Sequence, residues 1–340
     1  MKTTTYYSLL LVLVLTACTP TEETVTDKTT PALTETTTNW EEVTTQNLPT
    51  PRHEAAFVAV GSKAYLLGGR GIKPVDIYDP ATQTWTAGAP SPVEIHHFQP
   101  VVYRNEIYLL GAMTGGYPGE TPLPEIYIYS PEQDAWRTGD AIPEDRRRGG
   151  AGAVLHDGKI YLSAGIVDGH RGGHVAWLDR YDPTTGTWEQ LPDAPRPRDH
   201  FQSVVHDGKL YNLAGRNTVA ATNPFDNCIG EVDVFDLSAG TWSTLSDTLP
   251  TLRAGNATLV VENNILVLGG ESTAHEVAHD EVEALDTKTG TWTARAPLSR
   301  GRHGTGAVIL NGQMIMASGC GNRGGSPELA DVIMAPVDKN

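Results

Sequence analysis

Residues 196–215 read RPRDHFQSVVHDGKLYNLAG and put two arginines, an acid and a histidine directly ahead of an apolar run. The arrangement recurs along the chain. Thirteen residues before Tyr65, Tyr108, Tyr161, Tyr211, Leu266 and Ile315 stand Arg52, Ile95, Arg148, Arg198, Arg253 and Arg302. The next position holds His53, His96, Gly149, Asp199, Ala254 and His303, and the one after it Glu54, His97, Gly150, His200, Gly255 and Gly304. A guanidinium is a planar fork of donors that pairs bidentately with a carboxylate or sulfate. The same fork also suits bonding main-chain carbonyls and holding neighbouring units in register. An imidazole changes charge near neutral pH and can move a proton. His53, His97, His200 and His303 stand where other copies carry small residues, so packing alone does not demand a ring there.

These residues are carried by an internal repeat. Trp40, Trp85, Trp136, Trp188, Trp242 and Trp292 recur at intervals of 45 to 54 residues. In phase with them run YLLGG (65–69), YLLGA (108–112), YLSAG (161–165), YNLAG (211–215), LVLGG (266–270) and IMASG (315–319). A third series, YDP (78–80), YSP (129–131), YDP (181–183), FDL (235–237) and LDT (285–287), has its central residue six positions before a tryptophan. Each copy reads as four short strands, A to D, which is the pattern of a propeller blade. Paired glycines, then Tyr-Asp-Pro, then Trp resemble the kelch repeat over residues 39 to 337. The expectation is an all-β, six-bladed kelch propeller with four antiparallel strands per blade. DVIMAP (331–336) supplies the third strand of the last blade, and the lone Trp40 strand completes it, which removes the free sheet edges of an open ring.

The resemblance implies that strand A is innermost, so the D-to-A connections and the B-to-C loops open on one face around the axis. That face would gather Arg70, Tyr117, His170, Arg171, His174, Arg216, Glu271, His275, His279, Asn322 and Arg323 with the repeat arginines and histidines. The expected ligand-binding set is Arg52, His53, His97, Tyr117, Arg148, His170, Arg198, His200, Arg253, Arg302, His303 and Arg323. It makes a cationic funnel for an acidic sugar or other anionic small ligand, or a scaffold for a protein partner. Glu271, His200 and His97 are the candidate catalytic residues. The chain is similar to the N-acetylneuraminate epimerase family of mutarotases, which implies a Glu and an Arg on a B-to-C loop. Glu271 fits, but no arginine follows within its loop, and Arg300, Arg302 or Arg323 would have to substitute. Polyuronate cleavage, with Arg198, His200, His97 and Tyr117 as neutraliser and base, is the alternative. Glu271, His275 and His279, spaced every four residues, would align on a helical turn as metal ligands, a spacing similar to that of plant nitrile-specifier proteins. No cofactor is expected.

The formal charge of -16 disfavours a nucleic-acid partner. Lys2, the apolar run YYSLLLVLVL and LTAC (15–18) read as a signal peptide over 1–17 ending in a lipobox, with Cys18 lipidated. Residues 18–38, rich in Thr, Glu and Pro, make a tether, and residues 39–340 the propeller. These features describe an exported, membrane-anchored monomer, periplasmic or at the cell surface, with the outer membrane favoured. Cys228 and Cys320 are expected to be unpaired thiols.

Overall fold

The computed structural model describes residues 1–3, 39–219 and 222–337. Cys18 and the tether lie outside the described residues, as does the signal peptide beyond its first three. From residue 39 the chain forms six four-stranded antiparallel sheets. Blade 1 is Ala55–Val60, Lys63–Gly68, Pro74–Asp79 and Thr84–Pro90, and blade 2 is Pro100–Tyr103, Glu106–Leu109, Glu125–Ser130 and Ala135–Ala141. Blade 3 is Gly152–His156, Lys159–Ser163, Leu178–Asp182 and Thr187–Leu191, and blade 4 is Gln202–His206, Lys209–Leu213, Asp233–Asp236 and Thr241–Thr244. Blade 5 is Ala257–Val261, Asn264–Leu268, Val282–Asp286 and Trp292–Arg295. Blade 6 takes Ala307–Leu310, Gln313–Ala317 and Val332–Pro336 from the C-terminal end and Glu41–Glu42 from the N-terminal end. Glu41 pairs with Met334 and Glu42 with Ile333, the closure expected for the Trp40 strand.

The sequence pattern follows from the stacking of blades. Second strands such as Lys209–Leu213 are buried almost throughout, because neighbouring blades cover both faces. Outer strands such as Thr187–Leu191 are mostly exposed. The Tyr-Asp-Pro and Trp series are cross-strand partners: Tyr78 faces Trp85, Tyr129 Trp136, Tyr181 Trp188 and Phe235 Trp242, with ring centroids 4.8 to 5.2 Å apart. Such aromatic pairs stabilise an antiparallel sheet beyond their burial alone. Apolar clusters fill each of the six junctions, so no blade has a core of its own.

A ring of backbone hydrogen bonds closes around the axis. His97 N donates to Glu54 O (3.1 Å), Gly150 N to His97 O (2.8 Å), His200 N to Gly150 O (3.1 Å) and Gly255 N to His200 O (2.7 Å). Gly304 N then donates to Gly255 O (2.8 Å), and Ala55 N returns to Gly304 O (3.0 Å). The six residues of this ring all have φ between 53° and 66°. Three are glycine, which takes that conformation freely, whereas Glu54, His97 and His200 carry side chains at a cost of about 1–2 kcal/mol each.

Trp40 is buried between blades 5 and 6 with Leu298, Met316 and Ile333. Replacing it by alanine is expected to lower the unfolding free energy by about 3–5 kcal/mol. Urea unfolding checks this, and a loss below about 1 kcal/mol would mean that the Trp40 strand does not seal the ring.

Candidate binding site at the hub

The five repeat arginines do not face the axis. Arg52, Arg148, Arg198, Arg253 and Arg302 are fully buried, and each guanidinium bonds the carbonyl sixteen residues later, at the end of its own second strand. Each also meets a carboxylate from the third strand or its approach: Asp76, Asp179 (2.6 Å), Asp233 (2.7 Å), Glu283 and Asp331 (3.1 Å). The backbone carbonyls of four of them, Arg52, Arg198, Arg253 and Arg302, accept from the glycine N–H that ends the preceding blade's second strand, as in Gly215 N to Arg253 O (3.1 Å) and Gly270 N to Arg302 O (2.9 Å). They are joints between blades, and the expectation that they bind ligand is corrected accordingly: every one is spent on a carboxylate and on carbonyls that would otherwise be unpaired. Blade 2 confirms the logic. There Ile95 replaces the arginine and Tyr127 stands at the position of the acid, both in one apolar cluster.

The histidines do converge. His97 and His200, from the hydrogen-bonded ring, meet His170, from the short 3-10 turn Gly169–Arg171 in the B-to-C loop of blade 3. The three rings pack edge to face with centroids 4.8 to 5.1 Å apart. Above them a cavity of about 550 Å³ is lined by His53, Glu54, Arg70, Tyr117, His170, Arg216, Phe225 and Glu271, among others. A narrower cavity of about 40 Å³ continues down the axis past Glu54, His97 and His200. His53 is held by Glu328 (2.7 Å), His303 lies 3.4 Å from Glu271 Oε2, and Arg323 stacks at 5.8 Å on the Phe225 ring.

The hub is not the cationic funnel that the arginine count predicts. Arg70 pairs with Glu120 (2.6 Å) and Arg216 with Glu271 (2.7 Å). Burial would push Glu54 and Asp199 up, but the histidines and guanidinium groups around them outweigh it and hold both at about 2. Glu120 and Glu271 are likewise held below the usual carboxylate range, against burial, by His170 and Arg70 and by His303 and Arg216. Burial pulls His97 and His200 below the ordinary imidazole range, helped by the surrounding histidines and Arg70 at His97 and by Arg216 at His200. His303 is the opposite case: burial disfavours its charge, but the Glu271 and Glu54 carboxylates push it up to about 9. Four carboxylates thus face Arg70, Arg216 and a protonated His303.

Glu271 does not join His275 and His279, which come together instead with Glu281, a ligand atom of each within 4.8 Å of the others. Residues 271–279 contain no helical turn, and the Glu271 carboxylate accepts from Arg216 and from Gly324 N (2.7 Å) instead. His279 is engaged at both ring nitrogens, by Ser272 Oγ (2.7 Å) and Glu281 (2.9 Å). Cys228 and Cys320 are both free thiols. Glu54 and Arg216 were placed on the hub face by the sequence but not among the expected ligands, and Phe225 is the cavity residue that the sequence reading did not name. Arg216 supplies from blade 4 the arginine missing from the Glu271 loop.

Six four-stranded blades, a closing strand from the N-terminal side and loops gathered on one hub define a six-bladed kelch propeller. Residues 23–275 match the Attractin/LZTR1 beta-propeller family and residues 252–299 the Kelch motif. The chain belongs to the Attractin/LZTR1 beta-propeller family. Kelch-like protein terF of Aspergillus terreus is 30% identical over 302 residues, covering 82% of this chain and 63% of that protein. Kelch-like protein 40 of Xenopus laevis is 29% identical over 162 residues, covering 46% of this chain and 25% of its own length. The chain therefore spans less than two thirds of the curated relatives it matches. The solved structure of YjhT superposes with a TM-score of 0.74 over 87% of this chain and 98% of that one, at 15% identity, a likeness of fold.

Two outcomes follow. Arg253→Ala is expected to cost about 3–5 kcal/mol, because it leaves Glu283 buried and unpaired; a urea midpoint close to wild type would contradict the joint. A histidine whose folded pKa lies above its ordinary 6.5 adds stability that is complete below pH 6.5 and lost as pH rises through about 9. Wild-type stability is therefore expected to fall across that window and His303→Gln to be flatter there, as read by unfolding at successive pH values.

Proposed function

We propose that the hub cavity binds a sugar, and that the ring it takes is uncharged rather than acidic. The observation that carries this is the lining itself. Ionised Glu54 and Glu271 offer acceptors for hydroxyl groups, and Tyr117, 55% exposed, and Phe225 offer aromatic faces for the apolar side of a pyranose. Arg216 Nε and Nη1 bond Thr218 (2.9 Å) and Glu271 (2.7 Å), which leaves Nη2 without a partner among the described residues and free to donate. An anion would have to enter beside two ionised carboxylates, so the charge argument for an acidic ligand no longer holds. The cavity is of a size that encloses a small ligand.

A second reading is favoured by the Glu271–Arg216 pair. Opening a sugar ring needs a base and an acid within reach of the anomeric hydroxyl and ring oxygen, and this pair lines the cavity in hydrogen-bonded contact. We also propose, from the sequence, that the propeller is exported and anchored as a monomer through a lipidated Cys18, with its hub free to meet soluble sugar and no nucleic-acid partner.

Saturation-transfer NMR against a panel of neutral and acidic monosaccharides tests the binding, with two-dimensional exchange NMR of the anomers on the same samples. Binding of at least one neutral sugar is expected, weakened about tenfold or more by Phe225→Ala. Exchange above the uncatalysed rate, lost in Glu271→Gln, supports turnover. Binding confined to acidic sugars, or unchanged in Phe225→Ala, contradicts the reading.

A further inference from the structure

The three-histidine cluster is more than packing, because each ring is held from behind and still has a ring nitrogen left over. His96 Nε2 donates to the Gly115 carbonyl (3.0 Å), and His96 Nδ1 and His97 Nδ1 share a hydrogen bond of 2.6 Å. That bond engages His97 Nδ1 and leaves His97 Nε2 for another partner. His200 Nδ1 is tied to the Asp199 carboxylate, which likewise leaves His200 Nε2 for another partner. His170 Nδ1 stands 3.0 Å from Glu120 Oε1.

His97 Nε2 and His200 Nε2 are buried without a hydrogen-bond partner among the described residues. A ligand nitrogen from each of His97, His170 and His200 lies within 4.8 Å of the others. Glu54 Oε2 sits 3.1 Å from His97 Nε2, so a carboxylate faces the cluster as well. Buried imidazole nitrogens left without hydrogen-bond partners beside a carboxylate are a set that a bound cation would satisfy. The carboxylate behind His200 and the imidazole behind His97 are the outer supports that orient metal-binding histidines and fix their tautomers. His97 and His200 also hold this place at φ 53°, where three other blades use glycine.

We propose that His97, His170 and His200 bind one divalent first-row transition-metal ion of the zinc type, with Glu54 within reach as a further ligand. Imidazole nitrogen suits such ions, and three protein ligands leave a coordination position open. His170 and Glu54 both line the large cavity, so that position opens toward it. A tetrahedral ion would hold its nitrogens about 3.3 Å apart, so binding would draw the three rings closer together. The site goes beyond the sugar reading, and either can fail without the other.

The test uses the full chain, free of any affinity tag, stripped with chelator and titrated with cobalt chloride alone. One cobalt per chain is expected, with visible d–d absorption of nitrogen coordination. His97→Ala and His200→Ala should each weaken binding by about 100-fold or more. His170→Ala, a loop substitution outside the hydrogen-bonded ring, should do the same with the near-ultraviolet dichroism of the fold unchanged. Absence of stoichiometric cobalt in the wild type overturns the site, as does binding that survives all three substitutions or that is lost only in His275→Ala.

Discussion

The closed ring of backbone hydrogen bonds around the axis is the constraint on which the rest depends. Five of its six links join the residue two positions beyond a repeat arginine, or its counterpart, to the same residue of the next blade, and the sixth returns from Gly304 to Ala55, beside Glu54. The ring demands a left-handed backbone at each of its six positions. Where glycine fills it, the hub is bare. Where Glu54, His97 and His200 fill it, their side chains line the axis, and the strain they carry is the kind that persists where surrounding structure over-determines it.

The arginine joint behind the ring explains why an acidic chain can bury so much positive charge. Each guanidinium meets a carboxylate and the ends of strands, so its desolvation is offset by bonds in a low-dielectric place. The hub follows the same rule with other residues. Arg70 with Glu120 and Arg216 with Glu271 are paired before any ligand arrives, and the surplus is carboxylate and neutral imidazole rather than guanidinium. That surplus is why a neutral sugar and a cation are the proposed ligands.

Much of the architecture was legible in the sequence, because it is written six times. Trp, Tyr-Asp-Pro and the glycine pair gave the blades and their phase, and the unpaired Trp40 gave the closure. The site was half legible. A position shared by Gly, His and Glu marks a residue that packing does not need, and those histidines do meet at the hub. The arginines misled because five equivalent cations look like a funnel until their partners are counted. Those partners were visible too: Asp76, Asp179, Asp233 and Glu283 each stand two residues before the residue that faces a tryptophan, and the blade without the arginine has Tyr127 there. Arg216 was placed on the right face but its pairing with Glu271 was not legible, and Phe225 was hidden, because B-to-C loops differ in length and share no register. Which loop residues reach the axis is decided by three-dimensional packing.

Three left-handed ring positions, rather than the repeat arginines, are proposed to carry the function of the hub. The most direct test is the triple substitution Glu54→Gly, His97→Gly, His200→Gly, which gives every ring position the residue its backbone prefers. Isothermal titration of this variant with cobalt and with a sugar that binds the wild type is the measurement, alongside the near-ultraviolet dichroism of the folded ring. A native dichroism spectrum with both binding events lost is the predicted result. Either ligand bound at wild-type affinity by the glycine-ringed propeller would contradict it.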